Sequence, residues 1–173
     1  MMKKVLILAI AAVLSLSIVG CESANDWNVY SKNGIEIQYP DEWNLDTTNT
    51  YGTDLILFGP DLGKVDEFYE NINVLSQDLP ENMGLKEYSS ISKSQIEEFM
   101  PGSEVIEFED VDAELPYQHI VYTGPMEGRD LEYMQRYIVK NNRAYVLTFT
   151  ATQENFDLYK EEVNKIFDTF EIR

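Results

Sequence analysis

The sequence predicts an α+β fold in which helices pack on an antiparallel sheet. Several short segments alternate apolar and polar residues and are separated by turn residues, a pattern typical of antiparallel strands. Two other segments carry apolar residues at helical spacing, one in the middle of the chain and one at its C-terminal end. The chain has 173 residues, 44% of them hydrophobic and 25% charged. This length and composition are typical of one globular domain.

The first half of the chain predicts a hairpin, two further strands and a helix. The hairpin runs from Tyr30 to Tyr39 and turns at Lys32-Asn33-Gly34, because Asn and Gly tolerate positive φ. Strands are expected at Leu55–Phe58 and at Asn71–Ser76. Apolar spacing predicts a helix over roughly residues 84–100, which Pro101-Gly102 ends. The segment Ser89-Ser90-Ile91-Ser92 has low helix propensity, so a break there is an alternative.

The second half predicts four strands and a final helix. The four β-rich segments are Val105–Phe108, Tyr117–Tyr122, Leu131–Val139 and Ala144–Thr150. A tight turn at Lys140-Asn141-Asn142-Arg143 joins the last two of them. Thr152 is expected to cap the final helix. The apolar stripe of that helix consists of Phe156, Tyr159, Val163, Ile166, Phe167 and Phe170.

The N-terminus resembles the leader of a bacterial lipoprotein. Lys3 and Lys4 precede an uncharged apolar run of about 15 residues, Val5–Val19, which suits a signal peptide and is short for a membrane span. The run closes on Ile18-Val19-Gly20-Cys21, which is similar to a lipobox. The resemblance implies cleavage before Cys21 and acylation of its amino group and thiol with chains such as palmitate. An ordinary signal peptide or short anchor with an incidental Cys is the alternative.

The leader divides the chain into three parts. Residues 1–20 are the predicted signal peptide, 21–26 a short tether and 27–173 the folded domain. The lipid would hold this domain on the outer side of the cytoplasmic membrane, or on an outer membrane if the cell has one. The net charge is −18, and loss of the two leader lysines takes it to −20. Because such a charge repels phosphate backbones, nucleic-acid binding is not expected.

Three segments resemble PsbP-like domains. They are Gly34-Ile35-Glu36-Ile37-Gln38-Tyr39-Pro40-Asp41-Glu42-Trp43, Asn71-Ile72-Asn73-Val74, and the predicted closing hairpin from Arg136 to Ala151. The final helix is similar as well. The resemblance implies a PsbP-type α/β/α sandwich over residues 27–173, with a central antiparallel sheet. The family includes extrinsic subunits of photosystem II and bacterial surface lipoproteins, and no shared catalytic set transfers to this chain. Since the leader is of the lipoprotein type, a photosystem role is not implied.

His119 is the candidate for a catalytic base, because it is the only histidine in the chain. It lies in the predicted strand Tyr117–Tyr122, where a hydrogen-bonded structural histidine is the alternative. The motifs G-x-S-x-G and H-E-x-x-H do not occur, and Cys21 is assigned to the leader. An enzyme is therefore not expected, and a hydrolase that uses His119 is a further alternative.

Aromatic residues provide a second set of candidates. Tyr39, Trp43 and Tyr51 are candidates to line a ligand-binding groove, and Pro60-Asp61-Leu62-Gly63 is a candidate ligand loop. The alternative is that Trp43, which follows a Tyr-Pro turn, fills the core.

The segment from Ser94 to Gly128 is strongly acidic and contains no Lys or Arg. Its nine acids are Glu97, Glu98, Glu104, Glu107, Glu109, Asp110, Asp112, Glu114 and Glu127. Asp110, Asp112 and Glu114 are candidate ligands for a hard cation such as Ca²⁺, although the segment lacks the Gly and distal Glu of a calcium loop. Weak Ca²⁺ binding is the most that we expect, and no other cofactor. A solvated acidic face is the alternative.

Together these patterns predict a lipid-anchored, extracytoplasmic, non-enzymatic accessory or binding domain. A scaffold or stabilising role with a protein partner is the first hypothesis. A binding protein for a divalent cation or a small cationic ligand is the alternative.

Overall fold

A computed structural model of the protein describes residues 27–60 and 68–173. The predicted signal peptide, the tether with Cys21, and the part of the candidate ligand loop from Asp61 to Gly63 lie outside the described residues. The elements are β1 (Asn28–Lys32), β2 (Ile35–Tyr39), β3 (Asn44–Asp46), β4 (Leu55–Phe58), β5 (Asn71–Asp78), α1 (Leu85–Phe99), β6 (Glu104–Val111), β7 (Tyr117–Met126), β8 (Arg129–Lys140), β9 (Arg143–Thr152), α2 (Phe156–Asp168) and β10 (Glu171–Ile172).

The strands form two antiparallel sheets. The larger one has seven strands in the order β3-β4-β5-β9-β8-β7-β6, and the smaller one has the order β1-β2-β10. Helix α1 packs against β7 and β8, whereas α2 packs against β9 and β2. The predicted α+β class, with helices on a central antiparallel sheet, is confirmed.

Turn residues place the strands in register. Asn33 and Gly34 have φ of 55° and 78°, and Asn141 and Asn142 have φ of 54° and 57°. Two successive positive φ values match the right-handed twist of the strands that such a turn joins. The first turn pairs Lys32 with Ile35, and the second pairs Lys140 with Arg143. Both predicted hairpins are therefore present.

The large sheet separates two apolar cores. The first contains the inner faces of β1 and β2 and the stripe of α2, and the second lies beneath α1. The central strand β9 is buried on both faces, since Leu147 and Phe149 lie in the first core and Ala144 and Val146 in the second. For this reason the sequence of a strand between two layers is a nearly continuous apolar run.

The helices differ from their prediction in detail. Helix α1 is continuous, so the alternative of a break is not observed. The hydroxyls of Ser90, Ser92 and Ser94 donate to carbonyls one turn earlier in the same helix. The N-cap of α2 is Asn155, so the prediction of Thr152 is wrong. Thr152 still pairs with Leu131 in the sheet, and the strand therefore runs past the predicted cap.

Two short strands were not predicted from the sequence. They are β3 at one edge of the large sheet and β10, which brings the C-terminus beside β2. Within residues 27–60 and 68–173, no helix is long and apolar enough to cross a membrane.

Candidate functional site

A line of polar side chains follows the junction between α2 and strands β6 to β8, and we call it the polar seam. Its members are Glu107 on β6, His119 on β7, Arg136 on β8, and Lys160, Asn164 and Asp168 on α2. The three helix residues are four positions apart, which places them along one edge of α2. The three strand residues share the sheet face on the α2 side, because His119 pairs with Arg136 and Glu107 pairs with Val121, two residues along β7.

Arg136 is the centre of the polar seam. Its side chain is only 7% exposed and lies between two aromatic rings, with its guanidinium carbon 4.6 Å from the centre of the Tyr117 ring and 5.3 Å from that of Phe167. Nη1 donates to Oδ1 of Asp168 at 2.6 Å, and Nη2 donates to Oδ1 of Asn164 at 2.9 Å. Stacking and a fork of donors are the properties that distinguish Arg from Lys in such a place.

His119 occupies the next position toward β6. Its Nε2 lies 3.2 Å from Oε2 of Glu107, and Nζ of Lys160 lies 3.7 Å from the other oxygen of that carboxylate. Burial lowers the pKa of His119 below its ordinary 6.5, and the charges of Arg136 and Lys160 lower it further, while Glu107 acts in the opposite direction. The imidazole is therefore neutral at pH 7.

The same electrostatic environment extends to Glu132. Burial raises the pKa of this carboxyl, and repulsion from Asp157 and Glu107 adds to the shift, whereas Lys160 opposes it. Carboxylates thus outnumber cations at this end of the polar seam. Lys160 pairs with Glu107, and Arg136 pairs with Asp168 farther along α2.

The arrangement around His119 has a base and an orienting carboxylate but lacks a nucleophile. Among the described residues, Glu107 is the side chain that bonds to the imidazole, and no Ser, Thr or Cys donates to it. A hydrolytic pair needs a hydroxyl or thiol within hydrogen-bond distance of the base. The geometry matches a hydrogen-bonded histidine that links two strands.

Beyond Arg136 the polar seam opens into a cavity of about 490 Å³. Strands β7 and β8 form one wall, and the end of α2 with the residues that follow it forms another. The segment 113–115, which connects β6 to β7, completes it. Such a volume is within the range of small-molecule sites in proteins.

The predicted aromatic candidates do not form one surface. Tyr39 is 8% exposed and Trp43 2%, and both belong to the first core, whereas Tyr51 is 77% exposed. The indole nitrogen of Trp43 donates to Oε1 of Glu162 at 2.7 Å, and its ring packs edge to face on Tyr159. Because Tyr39 and Trp43 are covered, the expectation that the three residues line a groove is wrong.

The acidic candidates are exposed but dispersed. Asp110 lies on β6, while Asp112 and Glu114 lie in the connection to β7, and all three side chains face solvent. In the part of the chain that the structure describes, no three His, Cys, Asp or Glu residues come together as ligands for a metal ion. Glu114 instead lines the cavity next to Arg136.

Sequence reasoning named His119 as a candidate base and Glu107 only as one of nine acids, and it missed Arg136, Lys160 and Asp168. One signal was available in the sequence. Lys160, Asn164 and Asp168 are spaced by four along the predicted helix, and Arg136 is a lone cation inside a β-rich segment. What links them is the packing of α2 on the sheet, which brings its edge within reach of the Arg136 side chain and which no local pattern specifies.

Comparisons with known proteins identify the architecture. No protein-family model and no curated protein matches the sequence. Among solved structures, cyanobacterial PsbP from Synechocystis sp. PCC 6803 is similar with a TM-score of 0.66 and 16% identity, over 91% of this chain and 99% of that one.

Two other similar structures come from different bacteria. A protein of unknown function from Pseudomonas aeruginosa has a TM-score of 0.63 and 16% identity, over 85% of this chain and 97% of that one. LpqN of Mycobacterium tuberculosis, involved in cell envelope biogenesis, has a TM-score of 0.61 and 11% identity, over 83% and 88%. Identities this low carry information about the fold alone. The chain is a domain with the PsbP-like fold, as the motifs in its strands predicted.

Proposed function

We propose that the chain is a lipid-anchored, extracytoplasmic binding domain that is not an enzyme and that holds a protein partner with a basic surface. The lipobox-like sequence that ends at Cys21 supports the anchor. The tether, residues 22–26, reaches at most about 20 Å when extended, so the domain works close to its membrane. This membrane is the cytoplasmic one, or an outer membrane in a cell that has one.

The observation that carries the partner proposal is the edge strand β6. Within the described residues, β6 ends the seven-stranded sheet and pairs with β7 on one side only. Its outer surface is acidic, with Glu104, Glu109 and Asp110 exposed. Ile106 lies between them and is 54% exposed. The register of β6 shifts at Ile106, and on either side of this bulge the edge presents unpaired backbone groups to an extended segment that approaches it.

The charge of the edge favours one class of partner. Two copies of this strand would set like charges against each other, which disfavours pairing of the protein with itself. A basic segment gains from the same charges and also satisfies the open backbone groups. The acidic surface therefore selects a basic partner.

An accessory role fits the site and the neighbours in structure. His119 has a carboxylate but no nucleophile among its described contacts. One similar structure is of unknown function, and another belongs to a protein involved in cell envelope biogenesis. The cell-envelope role of LpqN is one precedent for this fold at the cell surface, and the proposal extends it to this chain.

Site-specific photo-crosslinking in intact cells tests the proposal. A crosslinking residue replaces Ile106 on β6, and the matched control replaces Leu158 on α2, which is 61% exposed. We expect an adduct of defined mass from position 106 and none from position 158. The double variant Glu109→Lys, Asp110→Lys should lower its yield at least roughly tenfold, because opposed like charges cost several kcal/mol.

Equal adducts from both positions, or a yield that charge reversal leaves unchanged, would contradict the proposal. The Leu158 position reports contacts that any exposed residue makes by collision. The reversed charges report whether the acidic edge itself selects the partner.

A further inference from the structure

The cavity beside Arg136 combines features that the partner proposal does not use. Arg136 lines it from β8, and its side chain is more than nine-tenths buried. Two of its nitrogens bond to Asp168 and Asn164, while Nε is buried without a hydrogen-bond acceptor among the described residues. Buried donors in proteins are nearly always satisfied. The guanidinium therefore has donor capacity that the described chain leaves unused.

The partner of Arg136 is replaceable. Asp168 accepts a hydrogen bond from Nη1 of Arg136, but the side chain of Asp168 is 66% exposed at the rim of the cavity. An exposed carboxylate loses little when it turns to solvent. The guanidinium is fixed between the rings of Tyr117 and Phe167 and stays where it is. A carboxylate that enters the cavity can thus take the place of Asp168.

The remaining walls carry both signs of charge and apolar surface. Lys140 adds a second cation, and Glu114 adds a carboxylate that suits an ammonium group. Glu171 adds another carboxylate, one oxygen of which lies 3.0 Å from the half-exposed guanidinium of Arg173. Leu115, Ile138, Phe170 and Ile172 supply apolar surface. These charges disfavour two classes of ligand. A simple cation has no favourable contact with Arg136, and a multiply charged anion is repelled by the carboxylates of Glu114, Asp168 and Glu171. A ligand with one charge of each sign and an apolar body satisfies all the walls.

We propose that this cavity binds a small zwitterion with apolar side chains, of the class of a hydrophobic amino acid or dipeptide. Its carboxylate binds Arg136 in place of Asp168, with Lys140 nearby. Its ammonium group is held by Glu114 and Glu171, and its side chains lie against the apolar walls. The site is independent of the acidic edge at β6 and of the anchor.

The test is calorimetric titration of the whole purified chain with leucyl-leucine. Two analogues remove one charge each: leucyl-leucinamide lacks the carboxylate, and N-acetyl-leucyl-leucine lacks the ammonium group. We expect leucyl-leucine to bind in the millimolar range or tighter and each analogue to bind at least tenfold more weakly. Each lost charge leaves a cavity group without its partner.

Variants locate the binding. Leu115→Trp fills the cavity and should abolish binding, whereas Leu158→Trp adds the same ring on the exposed side of α2 and should leave it unchanged. Asp168→Asn should strengthen binding, because the carboxylate of the ligand no longer displaces a charged group. Arg136→Gln should also abolish binding. If the Arg136→Gln protein does not fold, Leu115→Trp still tests the proposal.

Several results would overturn the proposal. They are no heat with leucyl-leucine at millimolar concentration, equal affinity for either analogue, binding that survives Leu115→Trp, and weaker binding to Asp168→Asn than to the unchanged chain. Equal binding of the acetylated dipeptide would indicate a plain carboxylate site instead. Equal binding of the amide would indicate a cation site.

Discussion

Two cations flank His119 from different elements, and this is the main electrostatic feature at the residue scale. Arg136 approaches from β8 and Lys160 from α2, while Glu107 on β6 supplies the one compensating carboxylate. Burial already disfavours the charged imidazole, and the two cations add to the effect. Protonation of His119 therefore works against the packing of α2 on the sheet.

Acid should destabilise the protein through His119. Because its pKa in the folded chain is lowered below 6.5, the unfolded chain binds more protons between the two values. This contribution is complete above pH 6.5 and is lost as the pH falls toward the lowered pKa. The free energy of unfolding of the unchanged protein should therefore fall more steeply below pH 6.5 than that of His119→Gln, as measured by urea unfolding.

The comparison addresses the imidazole directly, since the two proteins differ at position 119 alone. Parallel pH profiles would mean that His119 takes up its proton without cost. A steeper loss of stability in His119→Gln than in the unchanged chain would mean that the effect of Glu107 dominates and raises the pKa of His119.

Sequence reasoning reached His119 but not its surroundings, for a physical reason. A single histidine stands out by its chemistry, so it can be named without knowledge of its neighbours. Arg136 acquires its role from Tyr117, Phe167 and Asp168, which lie 19 to 32 residues away in the chain. These residues meet only when β7 pairs with β8 and α2 packs on the sheet. Trp43 failed as a groove residue for the same reason, because its indole partner Glu162 lies on α2.

At the scale of elements, local chemistry and the sheet ladder contribute differently. Alternating residues and Asn-rich turns fix both hairpins, because side-chain direction and positive φ are local properties. The strands β3 and β10 have three and two residues, and they exist through pairing with β4 and β2. No pattern so short specifies a strand. The N-cap of α2 is Asn155 and not the predicted Thr152, because the pairing of β9 with β8 extends to Thr152.

The apolar stripe of α2 should carry much of the stability. Phe167 is 3% exposed in the first core and also stacks on Arg136. Phe167→Ala should lower the free energy of unfolding by roughly 3–5 kcal/mol, as is typical when a buried aromatic is truncated. Chemical denaturation with fluorescence detection measures the change.

Leu158 on the exposed side of the same helix provides the control. Leu158→Ala should change the free energy of unfolding by less than about 0.5 kcal/mol, as at other surface positions. A loss below about 1 kcal/mol for Phe167→Ala would mean that the stripe contributes little to folding and that α2 is held mainly by the polar seam.

Charge is the dominant property of the whole molecule. The net charge of −18 is spread over an exposed surface, and the described acids do not gather into a metal-binding cluster. Carboxylates that are exposed and separated bind Ca²⁺ weakly, since a tight site needs six or more oxygens around one ion. Salt should screen the field of the acidic edge and slow association with a basic partner.

We predict that Ca²⁺ binds the protein with millimolar affinity at best. Calorimetry should show weak heats that Asp110→Asn and Asp112→Asn barely alter, because neither residue belongs to an assembled site. Micromolar affinity that disappears in the double variant would instead support the alternative function of a cation-binding protein.

Lipid attachment at Cys21 is the central claim at the scale of the whole molecule, and detergent phase partitioning tests it most directly. The unchanged protein, expressed in a bacterium that processes lipoproteins, should enter the detergent phase, because two acyl chains hold a protein far more firmly than one. Cys21→Ser should move it to the aqueous phase with an unchanged thermal midpoint, since position 21 lies outside the folded domain predicted for 27–173. A Cys21→Ser protein that stays in the detergent phase like the unchanged chain would contradict the account.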